Sequence, residues 1–365
     1  MFRAALIGAG MIAGTAHVPA YRSCGDAFSV EAVADLNEAA ARDMAGKYGI
    51  PRYYTDCARM LEEVRPDVVS VCVPNAFHKQ YVRLALEHGA NVLCEKPVAV
   101  TYADAVELYE LAWRQNRVLM ACQSMRYTPD RLALKAMIDR GEVGDVYYAA
   151  FQRIRRRGIP TWGTFHMKRF SGGGAMIDLG VHMLDAMLWL LGNPEIVSVS
   201  GSAGIHHAAE LGDLVSSGAR TGTVDHARRF RPEEMDVEDF AAGSILFRNG
   251  ATAQFISAWA ANLPESSEIR VTGQRSGVVI PEGLIYSGDT PPRPLEIRPD
   301  PYGAEAFPGH FHIMHHLARV LRGEAAPEIT PAQTIQVSAV LDLFYRAAAR
   351  QQSVAFAELT EETSK

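Results

Sequence analysis

Phe2-Arg3-Ala4-Ala5-Leu6-Ile7-Gly8-Ala9-Gly10-Met11-Ile12-Ala13-Gly14 opens the chain with a short apolar run that ends in three spaced glycines. An apolar strand, then G-x-G-x-x-G, then a helical pattern is the arrangement of a dinucleotide-binding turn. Gly8 permits the tight turn, Gly10 lets a pyrophosphate approach the backbone, and Gly14 lets helix and strand pack closely. Met11 and Ile12 lie in the same turn and are expected beside the cofactor. The plain alternative, a glycine turn without a ligand, explains the spacing less well, because the motif sits where a strand hands over to a helix. The apolar run is also too short for a signal peptide and passes directly into the turn.

Working outward, a second strand, Val30 to Ala34, ends at Asp35, and an alanine-rich helix is expected from Asn37 to Tyr48. An acid at that strand end accepts hydrogen bonds from ribose hydroxyls and repels a 2′-phosphate, which favours NAD over NADP. Neither Leu36 nor Asn37 offers a cation for that phosphate, although Arg42 lies one turn into the helix. Asp35 would serve equally as a helix N-cap, and the two roles are compatible. Apolar runs at Asp67–Val73 and Ala90–Cys94, separated by a helix from Ala76 to His88, continue a strand–helix alternation that predicts a parallel sheet. Pro74-Asn75, with His78 just beyond, falls past a strand end, where such sheets hold ligands. Thr101 is the expected N-cap of a helix reaching about Asn116, and a strand from Arg117 to Cys122 closes a first domain, 1–123, near Gln123.

At the end of one of these strands stands Leu93-Cys94-Glu95-Lys96-Pro97-Val98. A lysine at the carboxyl end of a buried strand, beside the place for a cofactor, is a candidate catalytic group.

Composition sets the outer bounds. The 365 residues suffice for two domains with proper cores, and 48% hydrophobic with 21% charged residues is ordinary globular composition. A net charge of −6 argues against a nucleic-acid partner. No span approaches a membrane helix in length. Among the five cysteines, Cys72, Cys94 and Cys122 fall inside apolar runs, and no pair has metal-ligand spacing. Reduced core thiols in a cytoplasmic protein are expected.

The second domain, 124–365, opens with Met125-Arg126-Tyr127-Thr128-Pro129, a helix from Asp130 to Arg140 and a strand from Val146 to Arg153. Arg153-Ile154-Arg155-Arg156-Arg157-Gly158-Ile159-Pro160-Thr161-Trp162-Gly163 is the one strongly basic stretch. It reads either as a substrate loop, with guanidinium donors and Trp162 stacking on a sugar face or on the nicotinamide, or as a solvated loop neutralised by nearby acids. Ser171-Gly172-Gly173-Gly174 then leads into a helix bearing Asp178 and His182, four residues apart and so on one face, with Asp185 a turn later. A helix N-terminus favours the anion and disfavours extra positive charge, so His182 is expected to be neutral, as a general base must be. The structural alternatives are a core histidine bonded to Asp178 and a capping carboxylate.

Strands are expected at Glu195–Ser202, Phe240–Phe247, Ala251–Trp259, Glu268–Thr272 and Gly277–Ile280, with Asn249-Gly250 as a hairpin turn. The fold class is therefore an N-terminal Rossmann domain followed by an α/β domain with a large, mostly antiparallel open sheet. Residues 204–232, with His206, His207 and His226, are polar and irregular, fitting an active-site loop or a subunit contact. Helices return at His310–Arg322 and Pro331–Arg350. His310, His312, His315 and His316 raise a metal site, since His312 and His316 are four apart, but no third ligand is nearby in sequence and none is expected. One of these histidines is placed to reach the substrate if the preceding loop nears the pocket.

The glycine turn, Asp35 and above all Glu95-Lys96-Pro97 resemble the Gfo/Idh/MocA family of NAD(P)-dependent oxidoreductases, and the resemblance covers essentially the whole chain. It implies NAD as cofactor, no metal, Asp178 and His182 at the family's usual acid and histidine positions, and a cyclic polyol (a sugar, anhydrosugar, inositol or sugar derivative) as substrate. It also implies a homo-oligomer, dimeric or tetrameric. The cofactor set expected on this reading is Gly8, Gly10, Met11, Ile12, Asp35, Pro74, Asn75, His78, Glu95, Lys96, Gln123 and Trp162. The substrate set is Lys96, Arg126, Tyr127, Arg153, Arg156, Trp162, Asp178 and His182. In the expected chemistry His182 takes the hydroxyl proton, Lys96 stabilises the same oxygen, and Asp178 orients substrate or histidine. A cationic nicotinamide alongside would favour neutral Lys96, so the lysine is a rival base. Two other functions stay open: redox-neutral glycoside cleavage through transient oxidation, which some relatives perform, and a non-catalytic dinucleotide sensor, which would not need the three residues together.

Overall fold

Runs of valine and alanine without a polar break form strands buried on both faces, which oblige helices to cover both sides. In the computed structural model, which describes residues 1–211, 214–216, 228–303 and 306–363, six strands build the first sheet, with only the short edge strand β3, Arg-Tyr-Tyr, largely exposed: β1 (Phe2–Ile7), β2 (Phe28–Ala34), β3 (Arg52–Tyr54), β4 (Val68–Val71), β5 (Asn91–Glu95) and β6 (Leu119–Cys122). All neighbours are parallel, in the order β3-β2-β1-β4-β5-β6. The order reverses between β1 and β4, and a ligand crevice forms at that switch point. Helices α1 (Val18–Ser23), α2 (Glu38–Tyr48), α3 (Cys57–Val64), α4 (His78–Glu87) and α5 (Tyr102–Arg114) clothe the sheet.

Local chemistry sets the helix ends. Asn37 caps α2 by accepting from the Ala40 N–H at 3.3 Å, so the cap is Asn37 rather than Asp35. Thr101 caps α5 as expected, accepting from the Asp104 N–H at 3.2 Å. In the first domain β3 and α3 escape the sequence reading, and for β3 the reason is that a three-residue strand is too short to show a period. The helix after the glycine turn also begins with a wide π-helical turn, Ala13–His17, which carries His17 into the core.

The second sheet has nine strands in the order β16-β15-β14-β13-β7-β12-β11-β8-β17. These are β7 (Val146–Ile154), β8 (Ile196–Gly204), β11 (Phe240–Phe247), β12 (Thr252–Ala258), β13 (Ser266–Gly273), β14 (Gly277–Ile280), β15 (Leu284–Tyr286), β16 (Arg293–Pro294) and β17 (Val354–Ala355), while β9 (Leu214–Ser216) and β10 (Arg228–Phe230) pair separately. Only β7 and β12 run parallel; the other pairs are antiparallel. Helices α6 (Pro129–Asp139), α7 (Lys168–Ser171), α8 (Val181–Leu190), α9 (Pro308–Leu321), α10 (Pro331–Arg350) and α11 (Phe356–Thr363) complete the chain.

Alternation along the strands sends Phe151, Val199, Ile245, Phe255 and Ile269 to one face, where they meet Leu184 and Met187 of α8 and Val340 and Phe344 of α10. Each such burial contributes about 1.5–3 kcal/mol. The opposite face, with Tyr148, Leu246, Gln254 and Arg270, is left uncovered. Helix α9 does not stay with the second sheet: Ile313, Met314, Leu317, Ala318 and Val320 join the core of the first. A division at residue 123 therefore leaves out one helix that returns. Of the polar 204–232 stretch, positions 212–213 and 217–227, including His226, lie outside the described residues.

Candidate active site

Strand β5 delivers Lys96 to the carboxyl edge of the first sheet, facing the turn that precedes α8. The Lys96 Nζ donates to the Asp178 carbonyl at 2.9 Å and lies 3.8 Å from Asp178 Oδ1. Both side chains are largely enclosed, at 14% and 17% exposure, so this contact is screened less than a surface pair. Asp178 occupies a π-helical turn, Met176–Gly180, instead of the regular α-helix its spacing predicts. The turn is held from outside. Buried Glu238 accepts from the Gly174 N–H at 2.9 Å, the Met176 N–H at 3.0 Å and the Tyr345 hydroxyl at 2.8 Å. A Cβ on Gly174 would stand 1.9 Å from the Glu238 carbonyl oxygen, so only glycine fits there.

The wider turn changes the partners. Asp178 Oδ2 accepts from the Trp259 indole N–H at 2.9 Å. His182 is half-buried and its Nδ1 has no hydrogen-bond partner among the described residues. Burial first, then the charge of Lys96, holds the imidazole well below its ordinary value and therefore neutral. Neutrality is as expected from the sequence, but burial and Lys96 enforce it.

Behind Lys96 lies a buried hydrogen-bonded chain. Glu95 Oε1 accepts from His17 Nε2 at 2.8 Å and from His310 Nε2 at 3.0 Å, while His17 Nδ1 meets the Ser70 hydroxyl at 3.0 Å and Ser70 meets the Tyr21 hydroxyl at 2.8 Å. Burial alone would raise the Glu95 carboxyl; the bonds from the two histidines outweigh it and hold it well below the usual range. Burial likewise keeps His17 low, so its neutral imidazole donates to an ionised carboxylate. Helix α9 supplies His310 because Gly309 lies against the Ser124 backbone, where a Cβ would stand 1.9 Å from the Ser124 carbonyl oxygen. His17, Glu95, His310 and Cys122 bring one ligand-type atom each within 4.8 Å of one another. The 2.8 and 3.0 Å contacts are hydrogen bonds, shorter than the roughly 3.3 Å ligand separations that zinc bonds of about 2.0 Å would impose in a tetrahedron. The pair weighed from sequence separates instead: His312 meets Asp300 at 2.9 Å, and His316 accepts from the Glu328 N–H at 3.0 Å.

The groove beside the glycine turn fits a dinucleotide. Gly8 has φ +100° and a Cβ there would meet the Cys72 carbonyl, whereas a Cβ on Gly10 would meet nothing within 4 Å, leaving that backbone open to a ligand. Asp35 Oδ2 accepts from the Ala9 N–H and Oδ1 from the Asn37 N–H, both at 2.8 Å, which ties the acid to the glycine turn and leaves lone pairs for ribose hydroxyls. Pro74 is exposed, Met11 and Ile12 are half-buried, and the Asn75 amide donates to the Ser171 carbonyl at 3.1 Å, linking the two halves of the site.

Known proteins share both halves. Residues 2–123 match the model of the oxidoreductase family with an NAD-binding Rossmann fold, and residues 132–279 match the GFO/IDH/MocA C-terminal domain. The chain belongs to the Gfo/Idh/MocA oxidoreductase family. Among its relatives, the D-glucoside 3-dehydrogenase of Escherichia coli K12 is 36% identical over 287 residues, 78% of each chain. The rhizopine catabolism protein MocA of Rhizobium meliloti is 31% identical over 281 residues, 72% of this chain and 85% of that one. A levoglucosan dehydrogenase solved with NADH and L-sorbose superposes with TM-score 0.82 over 99% of this chain and 100% of its own, at 20% identity, a likeness of fold.

Several residues expected in this Gfo/Idh/MocA site are committed elsewhere. Arg126, 1% exposed, pairs with buried Asp185, donating from Nε at 2.7 Å, and also binds Gln333 and Gln123. The Arg126 donors and the Gln123 Oε1 are thus spent on buried partners rather than directed at the groove. Tyr127 is buried with its hydroxyl on Glu328 at 3.1 Å. Buried His78 has Nδ1 2.6 Å from the Pro97 carbonyl and Nε2 2.9 Å from that of Val73, so it buttresses the groove wall from behind. Glu95, 6% exposed, faces the histidines instead of the groove. A position beside the motif could not reveal these inward orientations. Arg153 is half-buried on the inner face of β7, Arg156 is exposed, and Trp162 packs edge-on to Phe165 with centroids 6.5 Å apart. Conversely, Trp259, Glu238, His17 and His310 enter the site without a sequence signal beyond His310's place in the histidine cluster.

Proposed function

We propose that this oxidoreductase oxidises a secondary hydroxyl of a cyclic polyol, or reduces the matching ketone, with NAD. The observation that carries this is Lys96 Nζ, bonded to the Asp178 carbonyl and facing its carboxylate, beside a neutral His182 at the edge of the dinucleotide groove. Bound NAD supplies the hydride acceptor. His182, held neutral, takes the hydroxyl proton. The remaining Lys96 N–H groups donate to the same oxygen as negative charge develops there. Asp178 holds Lys96 in place and accepts from a neighbouring hydroxyl. Arg153 and Trp162 lie on the strand end and loop that would line the substrate. The polar lining suits a sugar or inositol better than an apolar alcohol. The names of relatives support the class, since a D-glucoside 3-dehydrogenase, a D-apiose dehydrogenase and a levoglucosan dehydrogenase are among them.

The exposed face of the nine-stranded sheet supports a homo-oligomer built face to face, since a broad open sheet is normally covered. All five cysteines are free, which fits a reducing cytoplasm. No helix among the described residues is long and apolar enough to cross a membrane. The test is cofactor reduction with NAD and then NADP across monosaccharides, anhydrosugars, inositols, sugar acids and glycosides. NADH in proportion to product for one stereochemical series is expected. Glycoside cleavage without net NADH would move the enzyme to the redox-neutral class, and tight NAD binding with no turnover on any of them would leave only the sensor.

A further inference from the structure

Trp259 follows directly on β12 and is fully buried, its ring set among Ile159, Ala175, Leu179, Met235 and Val237. An indole N–H can only donate, and here it donates to Asp178 Oδ2 at 2.9 Å. The residue's backbone is fixed on both sides. Its N–H donates to the Asp239 carbonyl at 2.8 Å, and its carbonyl accepts from the Gly158 N–H at 2.7 Å. One attachment belongs to the acidic segment that also carries Glu238; the other belongs to the arginine-rich loop between Arg153 and Trp162. With ring and backbone both locked, the indole cannot follow the carboxylate if it turns.

We propose that Trp259 is a positioning residue for the reaction: its indole N–H pins one oxygen of Asp178 so that the other stays opposite Lys96 without closing on it. This rests on the functional reading above, in which Lys96 must keep donors for the substrate oxygen. Oδ1 stands 3.8 Å from Nζ, beyond hydrogen-bond length. Freed from the indole, the carboxylate is drawn onto the ammonium, and the lysine donors are spent on Asp178. Trp259 also joins the arginine-rich loop to Asp178, so that the loop and the acid are set by one rigid side chain.

Trp259→Phe keeps the ring and removes only the donor. The expected result is a kcat lower by about 10- to 100-fold, the range for a catalytic group moved out of register, with NAD affinity and sugar KM nearly unchanged. A folded W259F enzyme with kcat within about twofold of wild type would overturn the proposal. A second readout needs no turnover. In protein labelled with 15N-tryptophan, Phe substitutions at Trp113, Trp162 and Trp189 assign three of the four indole signals, and the one left is that of Trp259. Asp178→Asn replaces a charged acceptor by a neutral amide and should move that signal upfield. A signal unmoved by D178N would overturn the pairing, and this decides the matter should W259F not fold. Failure of the functional reading has a different signature: wild-type protein that turns over no polyol while its indole signal still responds to D178N.

Discussion

Replacing Lys96 by Met removes the ammonium and keeps most of the side-chain volume. Two terms follow from the geometry. The Nζ donors nearest the substrate oxygen disappear, and loss of one preorganised donor to a developing oxyanion costs about 10²–10³ in rate. The hydrogen bond to the Asp178 carbonyl at 2.9 Å is lost as well, releasing the turn that carries Asp178. Together they predict a fall in kcat of roughly 10³-fold or more, about 4 kcal/mol of activation free energy. Stability should change little. The lost charge-assisted bond contributes about 1.5–3 kcal/mol, while removing a largely enclosed ammonium relieves a desolvation cost of the same order. NAD affinity should be nearly intact, because the pyrophosphate cradle at Gly8–Gly14 is built from a different strand end. The assay pairs NADH absorbance under saturating sugar with calorimetric titration of NAD and a thermal melt. A K96M enzyme keeping more than about a tenth of wild-type kcat, or one that folds but no longer binds NAD, would refute the reasoning.

Arg126→Met leaves Asp185 buried without its cation and should cost about 3–5 kcal/mol in urea unfolding, with sugar KM unchanged in the folded fraction; a selective KM effect would return Arg126 to the substrate. Asp35→Ala removes the charge facing the ribose and one bond to the glycine turn, and should reduce the NAD-over-NADP preference in kcat/KM by roughly tenfold, the equivalent of about 1.4 kcal/mol; an unchanged ratio would place the discrimination elsewhere. Stability should fall on acidification below about pH 6.5, the ordinary imidazole value. Burial, opposed at His17 by the hydrogen bond that Glu95 accepts and at His78 by the two backbone carbonyls facing its ring nitrogens, lowers both imidazoles, and burial joined by the Lys96 charge lowers His182. The unfolded chain thus binds more protons than the native one in that window, and stability rises with pH through it. Melting midpoints that do not drop between pH 7 and pH 5 would contradict the neutral assignments.

What could be read in the chain was what depends on neighbours in sequence. The glycine turn, Asp35 at a strand end and the alternation of apolar runs with helices needed only local period and local steric demand, and they specify the parallel sheet and its groove. Lys96, Asp178 and His182 were likewise legible as residue types in motif positions. Their surroundings were not. Arg126 and Tyr127 looked available because nothing local shows that Asp185, 59 residues on, and Glu328, 201 residues on, take them inward. His312 and His316 shared a helix face yet found separate partners, while His17, Glu95 and His310 meet from three distant segments.

The π-helical turn at Asp178 shows the limit most plainly. Four-residue spacing predicts one helix face, but Glu238, brought alongside by the second sheet, captures the N–H groups of Gly174 and Met176, and Trp259 takes the carboxylate. Sequence by itself determined the two sheets and the cofactor groove and nominated the groups proposed to react, because period, glycine geometry and charge act over a few residues. Tertiary structure alone decided which polar groups are satisfied inside and which stay open to the groove, because a buried hydrogen bond is chosen by whatever partner the folded chain places within 3 Å.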